Sequence, residues 1–206
     1  LALRDATFLY EIEIRRGRPI RASRISVDGT LQRGSAVLAS LLGAGDGRFV
    51  ITPVIEAVGA TPRAELEGDL AEQLLPLIAG ARAAQRLVSG EELVHVDRVG
   101  LEEDRLAAYL AATPEPSRTL LRSFARGASP RTLMVEGRVA PQLLESVLCD
   151  AAAHGAIFEV IDARGEDLLP AALGRELGLL RGERALAPIP EPLLPEPADP
   201  SVMPPL

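Results

Sequence analysis

Chemistry in this 206-residue chain has few side chains to work with: two histidines and one cysteine. In "ELVHVDRV", His95 and Asp97 lie two apart, so on a strand both would point the same way. That pairing suits a His–Asp dyad or two metal ligands. The other histidine, His154, stands before Gly155, where a helix would end and its dipole would favour a cation. No HExxH spacing joins the two, so both read as structural histidines and no metal site is expected. "GAGDG" (residues 43–47) follows a helical pattern and opens a strand. A phosphate cradle needs the opposite order, so these glycines read as turn chemistry. Cys149 lies mid-helix beside an apolar stripe and reads as a small buried hydrophobe. No GxSxG elbow is present. The expectation is a protein without catalytic residues, metal or cofactor.

The remaining chemical feature is "RRGRPIRASR" (residues 15–24), five arginines around one glycine in a chain of net charge −7. Arg15, Arg16, Arg18 and Arg21 are the candidate partner-binding residues. On a hairpin they form a charged outer face, with Glu11 and Glu13 close enough to pair across the strands. Such a face is solvated, or it docks an acidic partner. Nucleic acid is not expected, because one small basic patch on an acidic chain lacks the usual footprint. Every cation is arginine, and lysine and asparagine are both absent, as a GC-rich coding sequence would produce. P-loop, Schiff-base and kinase-type sites are thereby excluded, and so is N-glycosylation. With no Trp and 3% aromatic residues, stacking platforms for single strands are not expected either.

Phe8, Tyr10, Ile12 and Ile14 alternate with Leu9, Glu11, Glu13 and Arg15, which predicts a strand. Gly17 marks a tight turn, and Ile20 and Ala22 continue the return strand. Ile25 and Val27 change parity, which predicts a bulge near Ser23–Arg24. Leu31, Ser35, Leu38 and Leu42 recur at helical spacing, and "RFVIT" is a short strand closed by Pro53. Residues 7–53 thus read strand, strand, helix, strand. Leu66, Leu70, Leu74, Leu77 and Ile78 form a helical stripe that Pro76 should kink or split. "GLEEDRLAAYLAA", "SRTLLRSFARG", "SPRTLMVEG" and "VAPQLLESVLCDAAAHG" predict short helices, the last with Val139, Leu143, Val147 and Ala151 on one face. "AIFEVID" predicts a strand. Residues 117–162 therefore follow the helix, helix, helix, strand order of winged-helix domains.

Gly17, Arg18, Ile20 and Ala22, then Gly34, Ala36, Val37, Leu41 and Leu42, then Gly47, Phe49, Ile51 and Pro53 resemble a known bacterial pattern. It is the second half of the PatA-type N-terminal (PATAN) domain: a "G-[RK]-x-[IV]-x-A" turn and strand, a "G-x-x-A-[LV]-x-x-L-L" helix and a "G-x-F-x-[VIF]-x-P" strand. The match covers about a quarter of the chain, and the family's opening helix and first strand have no counterpart here. The resemblance implies a non-enzymatic module of bacterial signalling proteins, often found beside response-regulator receiver domains. It assigns no functional residues.

The expected fold class is α+β: a small antiparallel sheet with a helix at the N-terminus, then a mainly helical segment with a winged-helix-like unit. The expected divisions are a partial PATAN-like module at 1–58, a helical domain at 64–168 containing the 117–162 unit, and a Pro-rich disordered tail at 186–206. The expected function is a cytoplasmic signalling adaptor that binds another protein, with a receiver domain as the candidate partner. The alternative is a winged-helix DNA-binding regulator. No membrane partner is expected, since no apolar run approaches a span and no signal peptide is visible. The opening without Met suggests that the chain begins inside a longer reading frame.

Overall fold

Two residues in the left-handed region, Arg16 at φ 49° and Gly17 at φ 77°, close the tight turn between the two longest strands. A two-residue turn of this kind matches the right-handed twist of the strands it joins. The computed structural model describes residues 1–4, 8–43, 48–53, 65–102, 105–106, 109–110 and 113–186. The boundary between the expected divisions at 1–58 and 64–168, the "GAGDG" turn after Gly43 and the Pro-rich tail from residue 187 lie outside the described residues.

The turn joins β2 (Phe8–Arg15) to β3 (Arg18–Ser26). With β1 (Ala2–Arg4), β4 (Leu31–Arg33) and β5 (Arg48–Val50) they form an antiparallel sheet of order β4-β3-β2-β1-β5. Leu31 and its neighbours are therefore strand, not the start of the expected helix. Gly34, at φ 92°, breaks the pattern, and its amide donates to the Ala22 carbonyl at 3.0 Å. The helix α1 (Ser35–Ser40) begins only after it.

The bulge also differs from expectation. Glu13 faces Arg21 and Ile14 faces Pro19, which leaves Ile20 as the extra residue. Nothing is inserted at Ser23–Arg24, where Ser23 still faces Glu11 and Arg24 faces Tyr10. Ile25 and Val27 never turn inward; they are 37% and 87% exposed. Arg24 takes the inward slot instead. Its guanidinium lies 4.5 Å over the Phe8 ring, and its Nε donates to Gln32 Oε1 at 2.7 Å. A cation on an aromatic face is a favourable way to bury an arginine stem.

The inner face of this sheet carries Phe8, Tyr10, Ile12 and Ala22, which pack with Val37 and Leu38 of α1 and with Leu66. The next helix, α2 (Leu70–Leu87), starts at a reciprocal cap. The Asp69 carboxylate accepts the Glu72 amide at 2.7 Å, and Glu72 accepts the Asp69 amide at 3.3 Å. Of the two outcomes expected at Pro76, a split does not occur: the helix runs through it. Proline removes one amide donor there, while Leu70, Leu74 and Leu77 hold that half of the helix against the sheet cluster.

The other half of α2 belongs to a second core. Ala83, Ala84, Leu87 and Val88 pack with residues from β6 (Val96–Leu101), α3 (Glu115–Ala125), α5 (Pro141–Ala153) and β7 (Ile157–Asp162). A further helix, α4 (Pro130–Val135), lies between α3 and α5. Ser129 caps it, accepting the Thr132 amide at 3.2 Å while its hydroxyl donates to Asp97 at 3.1 Å. Strands β6 and β7 pair antiparallel as a separate two-stranded sheet. The inward face of α5 is Leu144, Val147, Leu148, Ala151 and Ala152. Leu143, expected inward, is 37% exposed, because the stripe is rotated by one residue. Each fully buried leucine here stabilises the fold by roughly 1.5–3 kcal/mol. The fold is α+β, as the alternating and helical periodicities implied.

Residues 169–186, which the periodicity did not assign to an element, form an 18-residue helix, α6 (Leu169–Leu186). Gly174, Gly178 and Gly182 lower its intrinsic propensity, so docking on α2 has to supply its stability. Ala172 is buried in that contact, and so is Glu176, whose carboxylate meets Arg86 Nε of α2 at 2.9 Å.

Candidate protein-binding face

The outer face of the five-stranded sheet follows from its register. With Tyr10, Ile12 and Ala22 inward, strict alternation turns Leu9, Glu11, Glu13 and Arg15 of β2 outward, with Arg18, Arg21, Ser23 and Ile25 of β3 beside them. Pairing carries two rows across all five strands. One row runs Leu31, Ile25, Leu9, Arg4, Arg48, and the other runs Arg33, Ser23, Glu11, Ala2, Val50. Leu9, Ile25 and Leu31 are 36%, 37% and 48% exposed, so they form an uncovered apolar strip.

The outward strand residues of the same face include Arg4 and Arg48 beyond Leu9, Arg33 beside Leu31, and Arg15, Arg18 and Arg21 farther off at the hairpin end, against Glu11 and Glu13. Six cations against two anions make the face +4 in a chain of net charge −7. At ~4.8 Å between strands and ~3.3 Å per residue, the five strands span about 19 Å, and all five run together for only about 10 Å of their length.

The four arginines singled out from the sequence come together at the hairpin end. Arg15 Nη2 meets Glu13 at 2.9 Å along its own strand, so the expected cross-strand pairing is replaced by an i,i+2 contact. Arg21 faces Glu13 in register but reaches Glu65 instead, at 3.4 Å. Arg16 and Arg18 are exposed and have no ion pair among the described residues. Arg16 is also the one described residue other than glycine with positive φ. Arg4, Arg33, Arg48 and the apolar strip were not found from the sequence. The strand of Arg48 was expected, but those of Arg4 and Arg33 were not, and only the pairing aligns all three with β2 and β3.

The other candidates disperse. His95 ends a short 3₁₀ turn (Gly90–His95), one residue before β6, so it does not share a strand face with Asp97. Asp97 is engaged by Ser129. His95 lines an open hollow of about 760 Å³ with Glu92, Arg131, Met134, Val135 and Asp162, where the charges are mixed in sign. His154 caps α5 as expected; its Nδ1 lies 2.8 Å from the Asp150 carbonyl, and its ring packs 4.9 Å from that of Tyr109. The Tyr109 hydroxyl donates to Asp150 at 2.8 Å. Burial, with that carboxylate beside it, pushes the phenol up to about 12. Cys149 is half-buried, and burial followed by the nearby Glu145 and Asp150 carboxylates raises its pKa, which disfavours a reactive thiolate. Among the described residues no three or more of His, Cys, Asp and Glu gather as a metal site, and no helix is long and apolar enough to cross a membrane.

Comparison with protein-family models, curated proteins and solved structures finds no match. The functional reading therefore rests on the face itself.

Proposed function

We propose that this chain is a non-enzymatic adaptor of bacterial signalling, working in the cytoplasm, that binds another protein through the outer face of its N-terminal sheet. The observation that carries the reading is the exposed strip of Leu9, Ile25 and Leu31 on a sheet face that also carries six arginines. A sheet face left without a covering layer, part apolar and part charged, is the composition of a docking surface rather than of a solvated exterior. The PATAN resemblance at residues 17–53 supplies the signalling context of the proposal and names a receiver domain as the candidate partner.

The DNA-binding alternative finds less support. In the helix, helix, helix, strand unit, α5 occupies the place of a recognition helix. Its exposed residues are Gln142, Leu143, Ser146, Asp150 and Ala153, with no cation among them. An acidic, uncharged or apolar helix face is repelled by phosphates or indifferent to them.

The test is site-specific photo-cross-linking in cells. A photoreactive residue at position 25 or 31 should yield one discrete heterologous adduct, and the same residue at position 142 should not. That adduct should disappear when Arg18→Glu is introduced. Adducts of equal yield from position 142, or none from 25 and 31, would refute the reading.

A further inference from the structure

Taking the outer face as the docking surface, as proposed above, we infer that its partner is a protein presenting an acidic rim around a narrow apolar strip, such as one side of an acidic amphipathic helix. The apolar row Leu31–Ile25–Leu9 spans three strands, about 10 Å, which is the diameter of a single helix. Cations stand beyond its Leu9 end and beside Leu31, while the sheet edge lies beyond Leu31 and the 27–30 connection lies on its remaining side. Arg4 and Arg48 extend the same row beyond Leu9, Arg33 lies in the adjoining row, and Arg15, Arg18 and Arg21 stand at the hairpin end. Arg4, Arg18, Arg33 and Arg48 are exposed with no ion pair among the described residues, so their charge is available to a partner. Among the described strand residues, Glu11 and Glu13 are the acids on this face; Glu13 is already held by Arg15, and Glu65 reaches in to Arg21.

Three other occupants fit less well. A second copy meeting this face with its own would set +4 against +4. A nucleic acid would leave the apolar strip unused, and it would meet a chain whose net charge away from this face is more negative than −7. A membrane surface would want protruding apolar side chains, whereas Leu9, Ile25 and Leu31 are 36–48% exposed and lie nearly flush among the arginines.

Three 18-residue helical peptides with the same leucine stripe, flanked by glutamate, glutamine or lysine, would test this against the ¹⁵N-labelled chain by NMR. The glutamate peptide should shift the amides of Leu9, Glu11, Ile25 and Arg33 and bind best. Its affinity should fall about fivefold between 50 and 300 mM salt. The double variant Arg18→Glu/Arg48→Glu should weaken it about tenfold at unchanged melting temperature. If the glutamine or lysine peptide binds the same amides equally well, the acidic preference is wrong while the docking face stands. If none of the peptides shifts them, both fail. Stronger shifts from a 20-base-pair duplex, from phosphatidylglycerol vesicles or from raising the protein concentration alone would reassign the face to nucleic acid, lipid or a second copy and overturn the inference.

Discussion

Arg16 offers a direct trial of how sequence and function compete at the hairpin turn. Its φ of 49° lies in the left-handed region, where a Cβ costs about 1–2 kcal/mol. Asparagine tolerates that region better, because its short side chain can hydrogen-bond locally. Replacing Arg16→Asn should therefore stabilise the sheet by about 0.5–1 kcal/mol, since only part of the strain is relieved. For a chain of this size that is about 1–4 °C in melting temperature. Hydrogen exchange of the Ile12 and Ala22 amides reads the N-terminal sheet directly, even if the second core melts separately. The control is Arg18→Asn, whose backbone is ordinary and which should gain nothing. The same Arg16→Asn change should weaken the acidic peptide, because it removes a cation at the edge of the face. Equal or greater loss of protection in Arg16→Asn than in Arg18→Asn would refute the strain argument. Unchanged peptide binding would detach this residue from the face.

Other outcomes follow from the second core. Gly174, Gly178 and Gly182 lie in α6, and a Cβ at any of them meets nothing within 4 Å. The triple Gly→Ala variant should gain about 2 kcal/mol in denaturant unfolding, and a loss would show that the glycines serve packing after all. Arg86→Ala leaves Glu176 buried without its partner and should cost about 2–3 kcal/mol, most of which Arg86→Ala/Glu176→Leu should recover. If the double variant unfolds at the same denaturant concentration as the single, the pair is not what makes Arg86 matter. Tyr109 should ionise near 12 rather than at the ordinary 10.0, read at 295 nm against Tyr109→Phe. Its folded value is raised, so its hydrogen-bonded phenol contributes stability in full below pH 10 and loses that contribution as pH rises through about 12. A midpoint near 10 would disprove the Asp150 contact.

Much of this architecture was legible in the chain because local rules are strong where a pattern is long. The period-two run from Phe8 to Arg15 determined a strand and the two faces it presents. Gly17 determined the turn, whereas the helical stripe was read from Leu66 and α2 begins only at Leu70, after the Asp69 cap. The three helices and strand between residues 115 and 162 were readable from their apolar stripes and turn residues. What only the tertiary structure decided was pairing. Arg4, Arg33 and Arg48 sit in three-residue strands, and hydrogen bonds to distant partners place them on the face that carries the strip. Arg24 and Ile25 exchanged their expected faces because the bulge formed at Ile20, a choice made by the partner strand. α6 escaped notice because its glycines hide its propensity, and it forms by docking on α2. Periodicity reports which face of an element is apolar, but which neighbour covers that face, or leaves it bare, depends on contacts between residues far apart in the chain.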